Sequence, residues 1–366
     1  MPKQHYSTAQ FNARMHPRNP YSSPIDIAQL AGQFPDLYDH VVSRASNGRV
    51  VYDWHAPGAT YAVTRALLKR DFDLDWQQPL EHLCPPVPGR LNYLLWVEDL
   101  VLQDAATAAE GVCVADIGTG ASAIFPLLGA RRFGWSFVAL DSNEDALAHA
   151  RSNVERNGLQ HLISALHVPH DGSIAHALSS LPSITHTMCN PPFFASSSSD
   201  AWRLRAAAAG AGGGKMACAA VERELFTEGG EVAFMTKIIQ ECATSPCRGR
   251  IKWFTCMVGI KADLAALKSA CSAAGAVQVR STTFYQGQTL RWGLAWTFVR
   301  EQQVRAAKRA LQHGSREVAP HASCEPCLPP LEKTLKCDAT LEEDEEQAAC
   351  CPLEEQAACC PRASTD

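Results

Sequence analysis

The sequence predicts an α/β fold built on a mostly parallel, seven-stranded sheet that ends in an antiparallel hairpin. From Gly111 onward, short apolar runs alternate with helical stretches. Strands and helices that alternate at this spacing form right-handed crossovers in a parallel sheet. The last two apolar runs are joined only by residues 286–289, and so short a connection produces an antiparallel hairpin.

The predicted elements follow one another along the chain. Amphipathic helices are predicted over 59–70 and 89–103, where apolar residues recur at helical spacing. The first four strands are predicted over 112–116, 136–140, 162–168 and 184–189, with helices over 121–133, 143–157 and 172–180. A helix near 218–243, a strand at 250–257, a helix at 261–274 and the hairpin strands 276–285 and 291–299 follow.

The length of 366 residues suits one large domain with appendages. We expect an N-terminal module over 1–88 that begins with an extended basic arm, a main domain over 89–312, and a disordered, acidic, cysteine-rich tail over 313–366. Residues 195–215 are rich in Ser, Ala and Gly, which predicts a mobile loop.

Composition excludes several classes of protein. With 46% hydrophobic and 19% charged residues, the chain can bury a sizeable core and is not disordered as a whole. No apolar run reaches the roughly 20 residues that span a bilayer, and the N-terminal residues lack a secretory pattern. We therefore expect a soluble intracellular protein with no membrane partner, whose 15 cysteines are free thiols.

The net charge of −5 arises in the tail. Residues 331–366 carry three basic and ten acidic side chains, whereas residues 1–330 carry 30 basic and 28 acidic ones. Any nucleic-acid surface must therefore be a local patch. Cys324 and Cys327 have zinc-finger spacing without a well-spaced second pair, so we predict no metal site and a low-complexity tail, with soft-metal binding or oxidation sensing as the alternative.

A glycine turn follows the first predicted strand of the sheet. Residues 116–120 read Asp-Ile-Gly-Thr-Gly, and glycines at Gly118 and Gly120 let the backbone approach a ligand closely. Asp141 lies 23 residues after Gly118 at the end of the next strand, where an acidic group can accept both ribose hydroxyls of a nucleoside cofactor. The pattern leaves NAD, or a purely structural turn, open as alternatives.

Residues 190–193, Asn-Pro-Pro-Phe, follow the fourth strand and should face the glycine turn across the crevice of the sheet. The Asn190 side-chain oxygen and the Pro191 carbonyl can accept the two N–H groups of an aromatic amine. Pro191 and Pro192 stiffen these acceptors, and Phe193 offers a ring on which a base can stack. The implied reaction is methyl transfer from S-adenosylmethionine (AdoMet) to adenine N6, cytosine N4 or a protein glutamine.

Several blocks together resemble one family. They are residues 15–21 (MHPRNPY), 34–37 (FPDL), 90–99 (RLNYLLWVED), 116–122 (DIGTGAS), 126–130 (PLLGA), 189–194 (CNPPFF), 228–231 (EGGE) and 291–296 (RWGLAW). Over about residues 12–300 the chain is similar to the methyltransferase-like protein 16 family, which comprises RNA N6-adenosine methyltransferases related to bacterial 23S ribosomal RNA adenine methyltransferases.

The resemblance implies a Rossmann-like class I AdoMet domain preceded by a basic RNA-binding module. It implies methylation of adenosine in structured RNA, such as U6 spliceosomal RNA or hairpins in the messenger for AdoMet synthetase, and residence in the nucleus and also the cytoplasm. No obligatory protein partner is implied. The expected cofactor contacts are Arg90, Asp116, Gly118, Gly120, Asp141 and Asn190, and the expected catalytic loop is Asn190, Pro191, Pro192 and Phe193.

Three departures from the family pattern stand out. Asp141 replaces a Glu, which should preserve ribose binding. His167 replaces a Lys of a loop that gates cofactor access, so inherited regulation of that loop is not expected to carry over. The long C-terminal RNA-binding region of vertebrate members is replaced by the acidic tail.

RNA phosphates require cations near the crevice. The candidates, each of which could instead be a solvated surface charge, are Lys3, Arg14, Arg18, Arg203, Arg205, Lys215, Arg248, Arg250 and Lys252. Trp54, Trp202 and Trp253 could stack bases, although core packing is the expected role of any single tryptophan. For His55 and His82, in loop-like sequence without evident partners, we expect surface or packing roles.

Two rivals to RNA methylation are kept. A protein glutamine N5-methyltransferase commonly ends the motif in Tyr, which Phe193 and the basic arm disfavour. A non-catalytic RNA-binding protein on the same fold would lack the glycine turn or Asn190, and both are present.

Overall fold

The computed structural model describes residues 12–44, 50–54, 56–104, 111–195, 222–287 and 289–300. The chain divides into two units, Met1–Leu311 and Gln312–Asp366, and every described residue belongs to the first. The predicted tail, and most of the predicted loop over 195–215, lie outside the described residues.

A seven-stranded sheet forms the centre of the first unit. Its strands are β3 (Cys113–Ile117), β4 (Ser136–Asp141), β5 (Ile163–His167), β6 (His186–Cys189), β7 (Trp253–Val258), β8 (Gln278–Gln286) and β9 (Thr289–Thr297). They lie in the order β5-β4-β3-β6-β7-β9-β8. The first five strands of this order pair in parallel, and β9 pairs antiparallel with both β7 and β8. The predicted fold class is confirmed.

Helices cover both faces of this sheet and continue into the N-terminal part. They are α1 (Ile27–Gln33), α2 (Ala59–Phe72), α3 (Val87–Leu102), α4 (Ile124–Phe133), α5 (Glu144–Arg156), α6 (Ile174–Ser180), α7 (Glu222–Leu225), α8 (Gly230–Thr244) and α9 (Lys261–Ala273). Three 3₁₀ helices cover Pro20–Ser22, Pro35–His40 and Pro246–Gly249, and a two-stranded antiparallel sheet pairs β1 (Val41–Arg44) with β2 (Val50–Tyr52). No helix in the described parts of the chain combines the length and apolarity needed to cross a membrane.

The helix predicted near 218–243 is two helices in the structure, α7 and α8. Gly229 and Gly230 adopt φ values of 73° and 68°, in a region that glycine enters without steric cost. The residues between the helices therefore turn, and Phe226 forms a parallel bridge with Phe194. Residues 218–221 lie outside the described part.

The described part of the predicted extended arm is instead folded against α3. The side-chain amide nitrogen of Asn19 donates to the Pro88 carbonyl at 3.0 Å and to Asn92 Oδ1 at 2.8 Å. Tyr21 is buried. Arg18 is paired with Glu98 and Asp99. Polar contacts with α3 therefore hold this part of the chain in place, although its composition predicted an extended arm.

Two large apolar clusters support the sheet. One includes Leu94 of α3, Leu127 of α4 and Phe137 of β4, and the other includes Ile239 of α8, Leu267 of α9 and Trp296 of β9. Burial of apolar area on both faces explains why the strands at the centre of the sheet carry runs of apolar residues, as in residues 137–140 of β4.

Candidate active site

The register of β3 and β6 brings the two predicted motifs together. Ile117 is paired with Cys189 in parallel, so the glycine turn and the Asn-Pro-Pro-Phe loop leave the sheet at the same edge. Ile117 is also paired with Leu140 of β4, which places Asp141 at this carboxyl edge. Ligands of open parallel sheets bind at such an edge.

A cavity of about 710 Å³ opens at the carboxyl edge, within the range of about 300–1,000 Å³ that is usual for small-molecule sites. Most of the predicted cofactor and catalytic residues line it, namely Arg90, Gly118, Gly120, Asp141, Asn190, Pro191 and Pro192. Asp116 and Phe193 do not line it.

The glycine turn is bent over the end of β4. Gly118 and Gly120 have φ values of 75° and 62°, and both the Gly118 and Thr119 amides donate to the Leu140 carbonyl, at 2.9 and 3.0 Å. Space is open where a Gly118 side chain would stand, so this glycine is required by its φ rather than by crowding. The turn therefore presents bare backbone to the cavity.

Positive φ in this turn is not confined to its glycines. Ala123, at the start of α4, adopts φ 45°, a conformation that costs a non-glycine residue about 1 kcal/mol or more. The indole N–H of buried Trp76 donates to the Ser122 carbonyl at 3.0 Å. Residues outside the turn thus hold it in shape before any ligand binds.

Asp116 of the glycine turn and Asp141 at the end of β4 have different roles. Asp141 accepts the Gly120 amide at Oδ2 and the Asn143 amide at Oδ1, at 2.8 and 2.9 Å, and burial raises the pKa of its carboxyl. Asp116 lies behind the turn rather than in the cavity lining, where burial raises its pKa to about 7 and Thr119 Oγ1 donates to it at 2.8 Å. Asp116 therefore supports the turn from below.

The Asn190 side chain carries the clearest unmet hydrogen-bonding capacity at this edge. Its Oδ1 is buried and has no hydrogen-bond partner among the described residues, although it belongs to a residue that lines the cavity. Buried polar atoms are nearly always satisfied, so an unpartnered oxygen on a cavity-lining residue indicates that a ligand supplies the donor.

Phe193 turns away from the cavity. A side chain at Gly259 would come within 2.7 Å of the Phe193 ring, and the Arg291 guanidinium carbon is 5.5 Å from the ring centroid. Stacking of a target base on Phe193 therefore stays a prediction that this ring position does not test. The contact between Arg291 and Phe193 was not predicted, although Arg291 begins one of the family blocks.

Arg90 is a cavity-lining residue whose side chain is held in place. Its side chain is buried, its Nη1 donates to Met257 Sδ at 3.1 Å, and its guanidinium carbon is 5.6 Å from the Phe125 centroid. A cation held in this way favours an anionic group of a ligand.

One wall of the cavity was not predicted. Glu224 of α7 accepts the Leu83 amide at 2.7 Å and contacts His82 Nδ1 at 2.8 Å. His82, for which no partner was expected, is therefore ion-paired or hydrogen-bonded to a residue 142 positions away. At the other end of this wall, the Phe194 amide donates to Leu225 and the Thr227 amide donates to Phe194, so the segment 222–229 joins residues 82–83 to the Asn-Pro-Pro-Phe loop.

The predicted RNA cations occupy several places. Arg14 is exposed and lies 4.4 Å from the Tyr285 ring centroid. Arg248 and Arg250 donate to backbone carbonyls of Ala243 and Leu178, and Lys252 lies 3.9 Å from Asp104. These last three precede β7 and so lie at the amino edge of the sheet, not beside the cavity as expected. Lys3, Arg203, Arg205 and Lys215 lie outside the described residues.

The remaining candidates are also placed. Trp253 is buried, Trp54 is half-exposed, and the exposed His167 ring contacts the Ser142 carbonyl at 3.2 Å. Trp202 and His55 lie outside the described residues. Within the described ranges, no group of three or more His, Cys, Asp or Glu side chains could hold a metal ion.

Comparison with known proteins agrees with this architecture. A family described as RNA methyltransferase matches residues 9–300. The Xenopus laevis RNA N(6)-adenosine-methyltransferase mettl16 is 40% identical over 79% of this chain and 53% of its own length. The Caenorhabditis elegans U6 small nuclear RNA (adenine-(43)-N(6))-methyltransferase is 38% identical over 78% of this chain and 63% of its own length. The chain thus spans about half to two thirds of these relatives.

A bacterial relative and two solved structures extend the comparison. Ribosomal RNA large subunit methyltransferase F of Pseudomonas savastanoi is 34% identical over 80% of this chain and 92% of its own length. The hMettl16 catalytic domain in complex with MAT2A 3'UTR hairpin 1 has a TM-score of 0.67 at 38% identity, covering 78% of this chain and 96% of that one. The N-terminal domain of human METTL16 in complex with SAH has a TM-score of 0.64 at 38% identity, covering 78% and 98%.

The fold and the cavity define an α/β domain that presents a glycine turn and an Asn-Pro-Pro-Phe loop to one ligand site. With the match over residues 9–300 and its relatives at 34–40% identity, the chain belongs to the methyltransferase-like protein 16 family of RNA methyltransferases.

Proposed function

We propose that this protein is an AdoMet-dependent RNA N6-adenosine methyltransferase. Two observations on Asn190 carry the proposal: the residue lines the same cavity as the glycine turn and Asp141, and its buried Oδ1 has no hydrogen-bond partner among the described residues. An acceptor in that position suits an amine that must be held beside a nucleoside cofactor.

The residues present fit AdoMet. The open backbone at Gly118 admits a nucleoside in a Rossmann-like site, and the Asp141 carboxylate retains lone pairs for ribose hydroxyls after accepting two amides. Arg90 would hold the cofactor carboxylate. When bound, AdoMet supplies a methyl group on a sulfonium.

The catalytic loop then orients the target amine. Asn190 Oδ1 and the Pro191 carbonyl accept its two N–H groups, which favours a geometry in which the nitrogen lone pair is free to attack. Pro191 and Pro192 restrict φ and hold these acceptors still. Catalysis rests on position and electrostatics rather than on a strong base, because the methylated amine loses its proton readily to water.

The substrate class follows from the relatives. A solved relative is bound to a messenger RNA hairpin and another is a U6 small nuclear RNA methyltransferase, which supports adenosine in structured RNA as the target. A U6-like substrate also supports a nuclear location, with the cytoplasm as a second compartment.

The test offers labelled AdoMet together with structured RNA hairpins and, separately, with protein extract. We expect label in N6-methyladenosine of the RNA. Label confined to protein glutamine would overturn the proposal in favour of the glutamine methyltransferase, and RNA binding without any transfer would favour the non-catalytic alternative.

A further inference from the structure

A fully buried carboxyl group outside the cavity supports the segment after β7. Glu231 at the start of α8 is 0% exposed. Its Oε2 accepts the Gly259 amide at 2.7 Å and its Oε1 accepts the Ile260 amide at 3.1 Å. A carboxyl group that accepts two consecutive amides fixes the backbone that carries them.

The absence of a side chain at Gly259 leaves room for the Phe193 ring. Its φ lies outside the left-handed region, unlike that of ten other described glycines, so backbone conformation does not require glycine here. A Cβ at this position would stand 2.7 Å from Phe193 Cδ1, 3.2 Å from Cε1 and 3.3 Å from Cγ. The contact with the Phe193 ring is therefore the reason for the glycine.

The ring is also close to a buried cation. The Arg291 guanidinium carbon lies 5.5 Å from the Phe193 centroid, and burial lowers the pKa of Arg291. Phe193 follows Asn190 by three residues, and two of these are prolines. Because the φ angles of Pro191 and Pro192 are fixed, we expect a displacement of the ring to shift the Asn190 side chain as well.

We propose that Gly259, anchored by Glu231, is a positioning residue for methyl transfer: it seats the Phe193 ring and thereby fixes where Asn190 Oδ1 stands. This inference rests on the proposed function and deepens it. It also assigns a role to the EGGE block, in which Glu231 is the last residue.

The experiment compares Gly259→Ala with Gly249→Ala, a matched control at the opposite edge with nothing within 4 Å of its Cβ position. We expect kcat on a hairpin RNA to fall about 10- to 100-fold in Gly259→Ala, since small misplacements cost this much, while the Kd for S-adenosylhomocysteine stays within about twofold. Gly249→Ala should behave as the unmodified protein. Glu231→Gln, which keeps the volume but weakens the anchor, should lower kcat in the same direction by less.

A double-mutant cycle separates positioning from general damage. In a Phe193→Ala background, Gly259→Ala should cause no further loss, because the ring it displaces is gone. Additive losses, an unchanged kcat in Gly259→Ala, or a parallel loss of S-adenosylhomocysteine binding would overturn the proposal.

A readout without turnover distinguishes this inference from the proposed function. The ring resonances of ¹³C-labelled Phe193 should shift in Gly259→Ala and in Glu231→Gln but not in Gly249→Ala. If the unmodified protein transfers no methyl to RNA, the proposed function fails. A shift of the ring resonances would still show that Gly259 positions the Phe193 ring. If transfer occurs but the ring does not shift, only this inference fails.

Discussion

Both edges of the central sheet carry polar residues, but those residues do different things. At the carboxyl edge, Asn190 Oδ1 is buried without a partner among the described residues, and Ala123 accepts an unfavourable φ. At the amino edge, Arg248 and Arg250 donate to the carbonyls that end neighbouring helices. The carboxyl edge leaves the oxygen of a cavity-lining residue without a partner among the described residues and holds a strained backbone, whereas Arg248 and Arg250 at the amino edge complete the fold.

The difference shows that a cluster of basic residues in the sequence is not sufficient to identify a binding site. A run such as Arg248, Arg250 and Lys252 suggests phosphate binding from sequence alone, yet helix ends present partial negative charge that attracts the same cations. An amide such as Asn190 carries no charge and still marks the site, because the fold leaves its oxygen unsatisfied.

The largest effect that separates the two edges is expected for Asn190→Ala. Loss of an acceptor that is aligned with the reacting amine should lower kcat by about 10³-fold. Because Oδ1 forms no hydrogen bond with any described residue, its removal should leave the melting temperature unchanged or slightly higher. Activity is measured as methyl transfer to hairpin RNA and stability by thermal unfolding. Transfer at the rate of the unmodified protein would remove Asn190 from the mechanism.

The next effect concerns the wall formed by residues 222–229. Glu224→Ala removes the acceptor of the Leu83 amide and the partner of His82, so the wall loses its attachment to the N-terminal part. We expect affinity for S-adenosylhomocysteine to fall about tenfold, or about 1.4 kcal/mol, in a calorimetric titration. The exposed Glu228 on the same wall offers the control, and Glu228→Ala should stay within about twofold. Equal losses in both variants would contradict a specific role for Glu224.

Sequence reasoning found the parts of the site that local pattern and strand order determine. Gly118 and Asn190 each follow a strand, and the pairing of those strands brings them to one edge. The contact between His82 and Glu224 could not be predicted, because its partners are 142 positions apart and neither belongs to a local motif. The direction of the Phe193 ring was missed for a similar reason, since it depends on space left by Gly259 across the sheet edge.

Glu231 should reveal itself in the pH dependence of stability. Burial is the main cause that raises its pKa from 4.5 to about 8, and the neighbouring Asp263 carboxyl group acts in the same direction, so the folded protein holds this proton more tightly than the unfolded chain. The free energy of unfolding should therefore fall as pH rises through that window. Glu231→Gln has no proton to lose, and between pH 5 and pH 8 it should lose less stability than the unmodified protein by at least about 1 kcal/mol.

Urea unfolding at the two pH values measures this difference. Glu144→Gln is the control, because an exposed carboxylate whose pKa is lowered by Arg151 is ionised throughout the range and should not alter the slope. A Glu231→Gln profile parallel to that of the unmodified protein would show that the carboxyl group titrates normally.

The smallest effect on function is expected at the amino edge. Arg250 donates to the carbonyls of Leu178 and Leu181, so Arg250→Ala should lower the melting temperature by a few degrees, the cost of about 1–2 kcal/mol of hydrogen bonding. Its guanidinium is engaged away from the cavity, so the affinity for hairpin RNA should stay within about twofold. A phosphate ligand would instead reduce the slope of log K against log salt by about one. Binding titrations at several salt concentrations decide between these outcomes. A reduced slope would show that Arg250 at the amino edge contacts an RNA phosphate.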